Sequence, residues 1–199
     1  LSQANAKDDW ADLPGRLIVI SGPSGVGKST VAHRLVEYPG MRARLSISAT
    51  TREPRLGEQD EVDYYFLTRA EFEAARHRGE FLECAEVHGH LYGTPAARVR
   101  TLLAEGTDVI LVIDVQGGRQ VRQRVPNALL IFLHPPSMAE LERRLRARGT
   151  DDEATIRRRL ENARHEIELA KQKYTHDVIN DNLDDAVKAL VLILKQAGG

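Results

Sequence analysis

Leu17–Ile20, Val109–Ile113 and Leu129–Leu133 are apolar without interruption and too short to be membrane-spanning. Rich in Val, Ile and Leu, they read as strands covered on both faces, the signature of a parallel sheet. A shorter fourth candidate strand, Asp177–Ile179, follows late in the chain. Between them the period changes to that of a helix. Ser29–Tyr38 places Val31, Leu35 and Val36 on one side, and further helices are predicted over Pro95–Glu105 and Leu183–Gln196. Ser137–Arg148 reads as a helix stopped by Gly149. Thr150-Asp151-Asp152-Glu153 then has capping-box spacing, and the next helix lines up Ile156, Leu160, Ala163, Ile167 and Ala170. Strands alternating with helices imply an α/β fold, a doubly wound parallel sheet whose ligands sit at the carboxyl ends of the strands.

One stretch breaks the alternation. Leu45–Ser48 suggests a short strand, and from there to Tyr92 the chain is polar, with apolar pieces at Tyr64–Leu67 and Phe81–Glu83 and a helical stretch over Arg69–Arg78. That mixture predicts a small α+β lobe inserted into the α/β core. The two helices around Gly149, rich in arginine, predict a hinged helical lid.

The chemistry begins directly after the first strand. Gly22-Pro23-Ser24-Gly25-Val26-Gly27-Lys28-Ser29 fits G-x-x-x-x-G-K-[ST] between a strand and a helix. Glycines let the backbone approach closely, and the helix start aims N–H groups at one point. Lys28 can then reach the β- and γ-phosphates of a nucleoside triphosphate, and the Ser29 hydroxyl can serve Mg²⁺. Arg52, Arg55, Arg148 and Arg159 lie outside the apolar stripes near turns, where a phosphate-clamping arginine and a solvated one look alike. Asp114, at a strand end, is placed to orient Mg²⁺ through water or to accept from a ligand.

Composition narrows the classes. With 199 residues, one domain with small insertions is expected. The 28 basic and 29 acidic residues nearly cancel, so no global field favours nucleic acid or a membrane surface. No apolar run approaches the roughly 18 residues of a membrane span. A single cysteine, Cys84, excludes an internal disulfide and suits a cytoplasmic protein, with a half-buried side chain expected. Residues 1–15 read as a mobile lead-in in which Trp10 is a local anchor. His88 and His90 flank Gly89 without a further ligand at metal spacing, and a loop role is expected for them.

The loop Gly22–Ser29, the run Ser46–Glu58 (SISATTREPRLGE), Asp63-Tyr64, Glu83, Tyr92-Gly93-Thr94, Ile113–Gly117, Pro135-Pro136-Ser137 and Arg148-Gly149-Thr150 together resemble guanylate kinase. The resemblance spans about residues 16–196. It implies a nucleoside-monophosphate-kinase fold within residues 16–199: a core (16–45, 95–140 and 165–199), a GMP-binding lobe (about 46–94) and a lid (about 141–164). It implies ATP + GMP to ADP + GDP with Mg²⁺. ATP would lie on Gly22, Pro23, Ser24, Gly25, Val26, Gly27, Lys28, Ser29 and Thr30, with Arg148, Asn180 and Asp181. GMP would lie on Ser48, Arg52, Arg55, Glu58, Tyr64, Glu83, Tyr92, Thr94 and Asp114. Within these sets Arg52, Arg55 and Tyr64 would grip the GMP phosphate with Tyr92 beside them, while Ser48, Glu83 and Thr94 read the guanine. Lys28, Arg52, Arg148 and Arg159 would carry the catalysis. The partners implied are GMP and ATP, without nucleic acid or membrane and with a homo-oligomer left open.

Two positions depart from the family pattern. Glu61 stands where a glycine is usual, which predicts an altered or strained turn. Val112 replaces an aspartate two residues before Asp114. Two other readings share parts of the pattern: a kinase of another phosphorylated small molecule such as a ribose bisphosphate, and a non-catalytic phosphopeptide-binding domain. Both fit less well, since the Ser48–Arg55 and Glu83–Thr94 segments, Lys28 and Ser29 are all present.

Overall fold

The computed structural model describes residue 10 and residues 12–87, 89–147, 149, 151–171 and 173–197. The described elements form two sheets, one five-stranded and one four-stranded, and the chain divides into two compact units.

One unit comprises Ile18–Arg42, Val112–Val115 and Leu129–Gly199. Strand β1 (Leu17–Ser21) is buried at every position, the both-faces burial its apolar run predicts. It leads through the glycine-rich loop into helix α1 (Lys28–Val36), which buries Val31, Ala32 and Leu35. Val36, expected on the same side, is half-buried. The five-stranded sheet continues beside β1 with two strands from late in the chain, β8 (Leu129–His134) and then β9 (His176–Ile179). Both pairings are parallel, Ile18 opposite Leu129 and Ile131 opposite His176. Helices α5 (Met138–Ala147) and α6 (Glu153–Ala170) share an apolar cluster of Leu141, Leu145, Ile156, Leu160 and Ala163. The start of α6 is capped by Asp152, whose carboxylate accepts from the Thr155 N–H at 2.7 Å. The expected capping box led by Thr150 is therefore corrected: the cap sits two residues later, where Asp152 reaches the third helical N–H. Thr150 itself lies outside the described residues. The last helix, α7 (Leu183–Gln196), is capped by Asn182 and packs on α1.

The other unit comprises the chain up to Leu17, Ala43–Leu111 and Gln116–Ala128. The expected strand Leu45–Ser48 is two strands. β2 (Ala43–Leu45) pairs in parallel with β7 (Asp108–Val112), while β3 (Ser48–Thr50) belongs to the four-stranded sheet. Ser46 still donates its N–H to the Ile110 carbonyl at 2.9 Å before the chain leaves that sheet, so an apparently continuous strand changes partner midway.

The four-stranded sheet has the order β4 (Tyr64–Phe66), β3, β6 (His90–Pro95), β5 (Phe81–Val87). Its alternation sorts the side chains into two faces. Ala49, Phe81 and Leu91 cluster with Phe72 and Ala75 of helix α2 (Arg69–His77), with Tyr65, Leu67 and Cys84 packed against them. Phe72 and Phe81 stack at 4.5 Å between ring centres. A Cβ on Gly93 would meet both rings at 3.0 Å, which accounts for a glycine in this strand. Helices α3 (Ala96–Ala104) and α4 (Val115–Arg124) follow β6 and β7. Trp10, read as an anchor, is 4% exposed under the Arg100 guanidinium, and Gly15 donates to the Leu103 carbonyl at 2.9 Å. Of the lead-in expected over residues 1–15, residues 1–9 and 11 lie outside the described residues.

Candidate active site

Within the first unit, β1 delivers the chain into the loop and α1 receives it. Gly27 is the N-cap of α1 with φ 97° and ψ 22°, and no side chain caps the helix. A left-handed cap is a glycine's conformation, and here a Cβ would also stand 2.7 Å from Asn180 Nδ2. A helix start with no carboxylate in its first turn keeps its dipole and N–H groups for an anion. Lys28 is half-buried, and its Nζ donates to the carbonyls of Gly22 at 2.5 Å and Pro23 at 3.2 Å. Ser29 and Thr30 are exposed.

Asn180 meets this loop, and the Asp181 carbonyl after it accepts from Arg144 at 3.4 Å. Asn180 is 7% exposed and donates through Nδ2 to the Val26 carbonyl at 2.7 Å. Arg144 of α5 donates to the Asn180 carbonyl at 2.9 Å and is itself oriented by Glu140 at 2.8 Å. Arg143 and Arg144 hold the Glu140 carboxyl down at about 2. Arg159 of α6 pairs with Asp151 at 3.0 Å. Arg148 lies outside the described residues.

Asp114 also belongs to this unit, just beyond the end of β7. The Ser21 hydroxyl donates to its carbonyl at 3.3 Å, and the Tyr174 hydroxyl donates to Ser21 Oγ at 2.6 Å. Tyr174 is steadied by an edge contact with Phe132. Glu166 of α6 completes the group. Burial raises its carboxyl to about 7, the Lys28 charge opposing and the Asp114 charge reinforcing the rise. Sequence reasoning passed over Glu166. Its one signal was position, three residues after Ala163 and four before Ala170, which puts a carboxylate beside the buried stripe of a helix.

Within the second unit Ser48, Tyr64, Glu83, Tyr92 and Thr94, all expected at GMP, gather on the face of the four-stranded sheet opposite Phe72, whereas Asp114, expected with them, belongs to the first unit. Register explains this directly. Ser48 stands opposite Tyr64, Thr50 opposite Tyr92, and Glu83 opposite Thr94, each pair on the same face. Glu83 is 4% exposed, and Thr94 Oγ1 donates to its Oε1 at 2.7 Å. Tyr64 and Tyr92 meet edge to face at 6.1 Å. Burial pushes the Tyr64 phenol up, Tyr92 adding to the rise.

Arg52 lies 5.4 Å above the Tyr64 ring centre, and both its terminal nitrogens fork onto the Glu58 carboxylate at 2.9 Å. The pair raises Arg52 and lowers Glu58, chiefly through that hydrogen-bonded fork. Glu58 also accepts the Arg55 N–H at 2.7 Å. Glu58 thus ties Arg52 to the backbone of the 52–58 turn. The Arg55 side chain is exposed. Glu61, flagged for its turn, has φ 61°, the one positive φ of a non-glycine among the described residues. Cys84 is half-buried as expected, and burial raises its thiol.

The span that carries both sets of residues matches known proteins. The guanylate kinase family model matches residues 14–197. The chain belongs to the guanylate kinase family. A guanylate kinase of Thermus thermophilus is 52% identical over 184 residues, covering 92% of this chain and 81% of that one. A guanylate kinase of a Synechococcus species is 49% identical over 181 residues, covering 90% and 82%. The crystal structure of guanylate kinase from Anaplasma phagocytophilum superposes with a TM-score of 0.76 at 33% identity, covering 92% of this chain and 85% of that one. A gluconokinase structure from Sinorhizobium meliloti, at 19% identity and TM-score 0.51, shares the fold alone. Like its guanylate kinase relatives, this chain is an α/β kinase, and among the described residues no helix is long and apolar enough to cross a membrane.

Proposed function

We propose that the chain catalyses ATP + GMP to ADP + GDP, with the residues gathered above in the roles that follow. An oxygen of the GMP phosphate attacks the γ-phosphorus of ATP, the bond to the β–γ bridging oxygen breaks, and ADP leaves. Such transfer asks a protein for positioning and charge neutralisation more than for covalent chemistry.

The observation that supports this reading best is Glu83, a carboxylate 4% exposed and tied to Thr94. Guanine presents N1–H and its 2-amino group as adjacent donors, and one carboxylate accepts from both. Adenine would leave that carboxylate unpaired. Thr94 and Ser48 complete the reading of the base. Arg52, Arg55, Tyr64 and Tyr92 take the phosphate dianion, Glu58 holding Arg52 to that task. The backbone of Gly22–Thr30 cradles the ATP phosphates with Lys28, while Arg148 and Arg159 neutralise charge on the transferred group. Asn180 and Asp181 border the adenine, with the Asn180 amide bracing the loop. We place Asp114 beside the phosphates with Glu166.

Mg²⁺ fits this donor set. Among the described residues no group of three acids or histidines forms a cage. Mg²⁺ on nucleotide phosphates needs none, because it keeps waters and takes one or two protein oxygens. Ser29 would supply one, and Asp114 would act through water. The ion would offset charge on the β- and γ-phosphates. We further propose a core, a GMP-binding lobe at about 46–94, a closing lid at about 141–164, a cytoplasmic location and self-association as open to sizing.

The test is a coupled ADP-release assay with ATP and Mg²⁺, offering GMP, AMP, UMP, CMP and a ribose bisphosphate separately. Turnover confined to guanine nucleotides is expected. Turnover with another acceptor and none with GMP overturns the proposal.

A further inference from the structure

Among the described residues strand β5 ends its sheet, and one side of its backbone has no neighbouring strand. Helix α4 supplies the partners. Gln120 accepts the Cys84 N–H through Oε1 at 3.2 Å and donates through Nε2 to the Cys84 carbonyl at 2.7 Å. This reproduces with one side chain the two-bond exchange a neighbouring strand would make. One helical turn later on the same face, Arg124 donates through Nη1 to the carbonyls of Phe81 at 2.6 Å and Leu82 at 3.0 Å. Two consecutive carbonyls of a regular strand point to opposite sides. Here they converge because the pairing register with β6 slips between Phe81 and Glu83. Such a bulge is a device for re-aiming a side chain. The residue immediately after it is Glu83.

We propose that Gln120 and Arg124 are positioning residues for guanine selectivity, holding the β5 backbone on both sides of Glu83 so that its carboxylate meets the base. The inference rests on Glu83 reading guanine. The contacts fall on residues 81, 82 and 84, bracketing that one carboxylate. Thr94 fixes Oε1 from the sheet side. Two side chains of α4 therefore fix the Cα, and one threonine fixes the head. Freed of α4, the bulge loses the cation that gathers its carbonyls, and the carboxylate turns away from the two donors it must accept.

The experiment compares kcat and KM for GMP and for inosine monophosphate, which lacks the 2-amino group, in wild type, Gln120→Met, Gln120→Ala, Arg124→Ala and Glu83→Gln. Gln120→Met keeps size and helix preference while deleting both polar atoms. Loss of aim should raise KM for GMP about tenfold, leave KM for ATP unchanged, and contract the GMP-to-inosine-monophosphate preference. Faster exchange of the Cys84 amide hydrogen in Gln120→Met should accompany it. A merely structural contact would lower active fraction and both acceptors together, leaving the ratio at its wild-type value, and that result overturns the inference. If Glu83→Gln itself keeps the wild-type ratio, the guanine reading falls and the inference with it. If Glu83→Gln loses the ratio while the Gln120 and Arg124 variants keep it, the inference falls alone.

Discussion

Lys28 touches two carbonyls of its own loop, and those contacts state what its removal does. An alanine leaves the loop's backbone path intact, because that path depends on Gly27 and on the Asn180 brace. Lys28→Ala should therefore lower kcat by at least about a hundredfold, the loss typical of one charge-stabilising donor, with an unchanged melting temperature. Wild-type kcat in a folded variant would remove Lys28 from the chemistry. Glu83→Gln should raise KM for GMP by about 10- to 150-fold, because a charged acceptor becomes an amide that presents one donor to another. KM for ATP should hold. Equal rises in both constants would dissociate Glu83 from the base. Single residues differ in how far the sequence reveals them. Lys28 is legible because its partners are contiguous with it. Glu61 is legible because a glycine was expected there, and its φ of 61° is the strain that expectation implies. Glu166 was not, since burial beside Lys28 and Asp114 depends on where α6 lies rather than on neighbours in the chain.

At the scale of elements, runs and periods translate well into strands and helices, and partnerships do not. The apolar runs at residues 17–20, 109–113 and 129–133 became β1, β7 and β8 within one residue at either end. Leu45–Ser48 failed because nothing local marks the point at which a chain changes sheet. Ser48, Tyr64, Glu83, Tyr92 and Thr94 are scattered over 47 positions, and only the pairing of β4, β3, β6 and β5 puts them on one face. The same pairing makes Gly93 a sensitive position. A Cβ there meets Phe72 and Phe81 at 3.0 Å, so Gly93→Ala should cost about 1–3 kcal/mol in denaturant unfolding, the range for overpacking a core. An unchanged midpoint would mean that the stacked rings yield freely.

For the molecule as a whole, Glu166 makes stability depend on pH in the less familiar direction. Its carboxyl titrates near 7 in the folded protein against 4.5 ordinarily, raised first by burial and then by Asp114, with Lys28 opposing. Between those values the folded chain keeps a proton that the unfolded chain has lost. The contribution of Glu166 to stability therefore falls as pH rises through that window and levels off above it. Glu166→Gln, which cannot ionise, should raise the melting temperature at pH 8 relative to wild type and leave it unchanged at pH 4. Equal shifts at both values would assign the effect to packing instead. The recognition face carries a different consequence, for descent rather than for energy. Its residues occupy every second position of their strands, and the alternate positions face α2. Exchange of one amino acid for another alters the face locally. Deletion of His90 at the start of β6 would bring Leu91 and Gly93 to the face proposed for GMP and drive Tyr92 and Thr94 into the apolar cluster. The lobe can drift letter by letter across lineages, but it cannot slip by one.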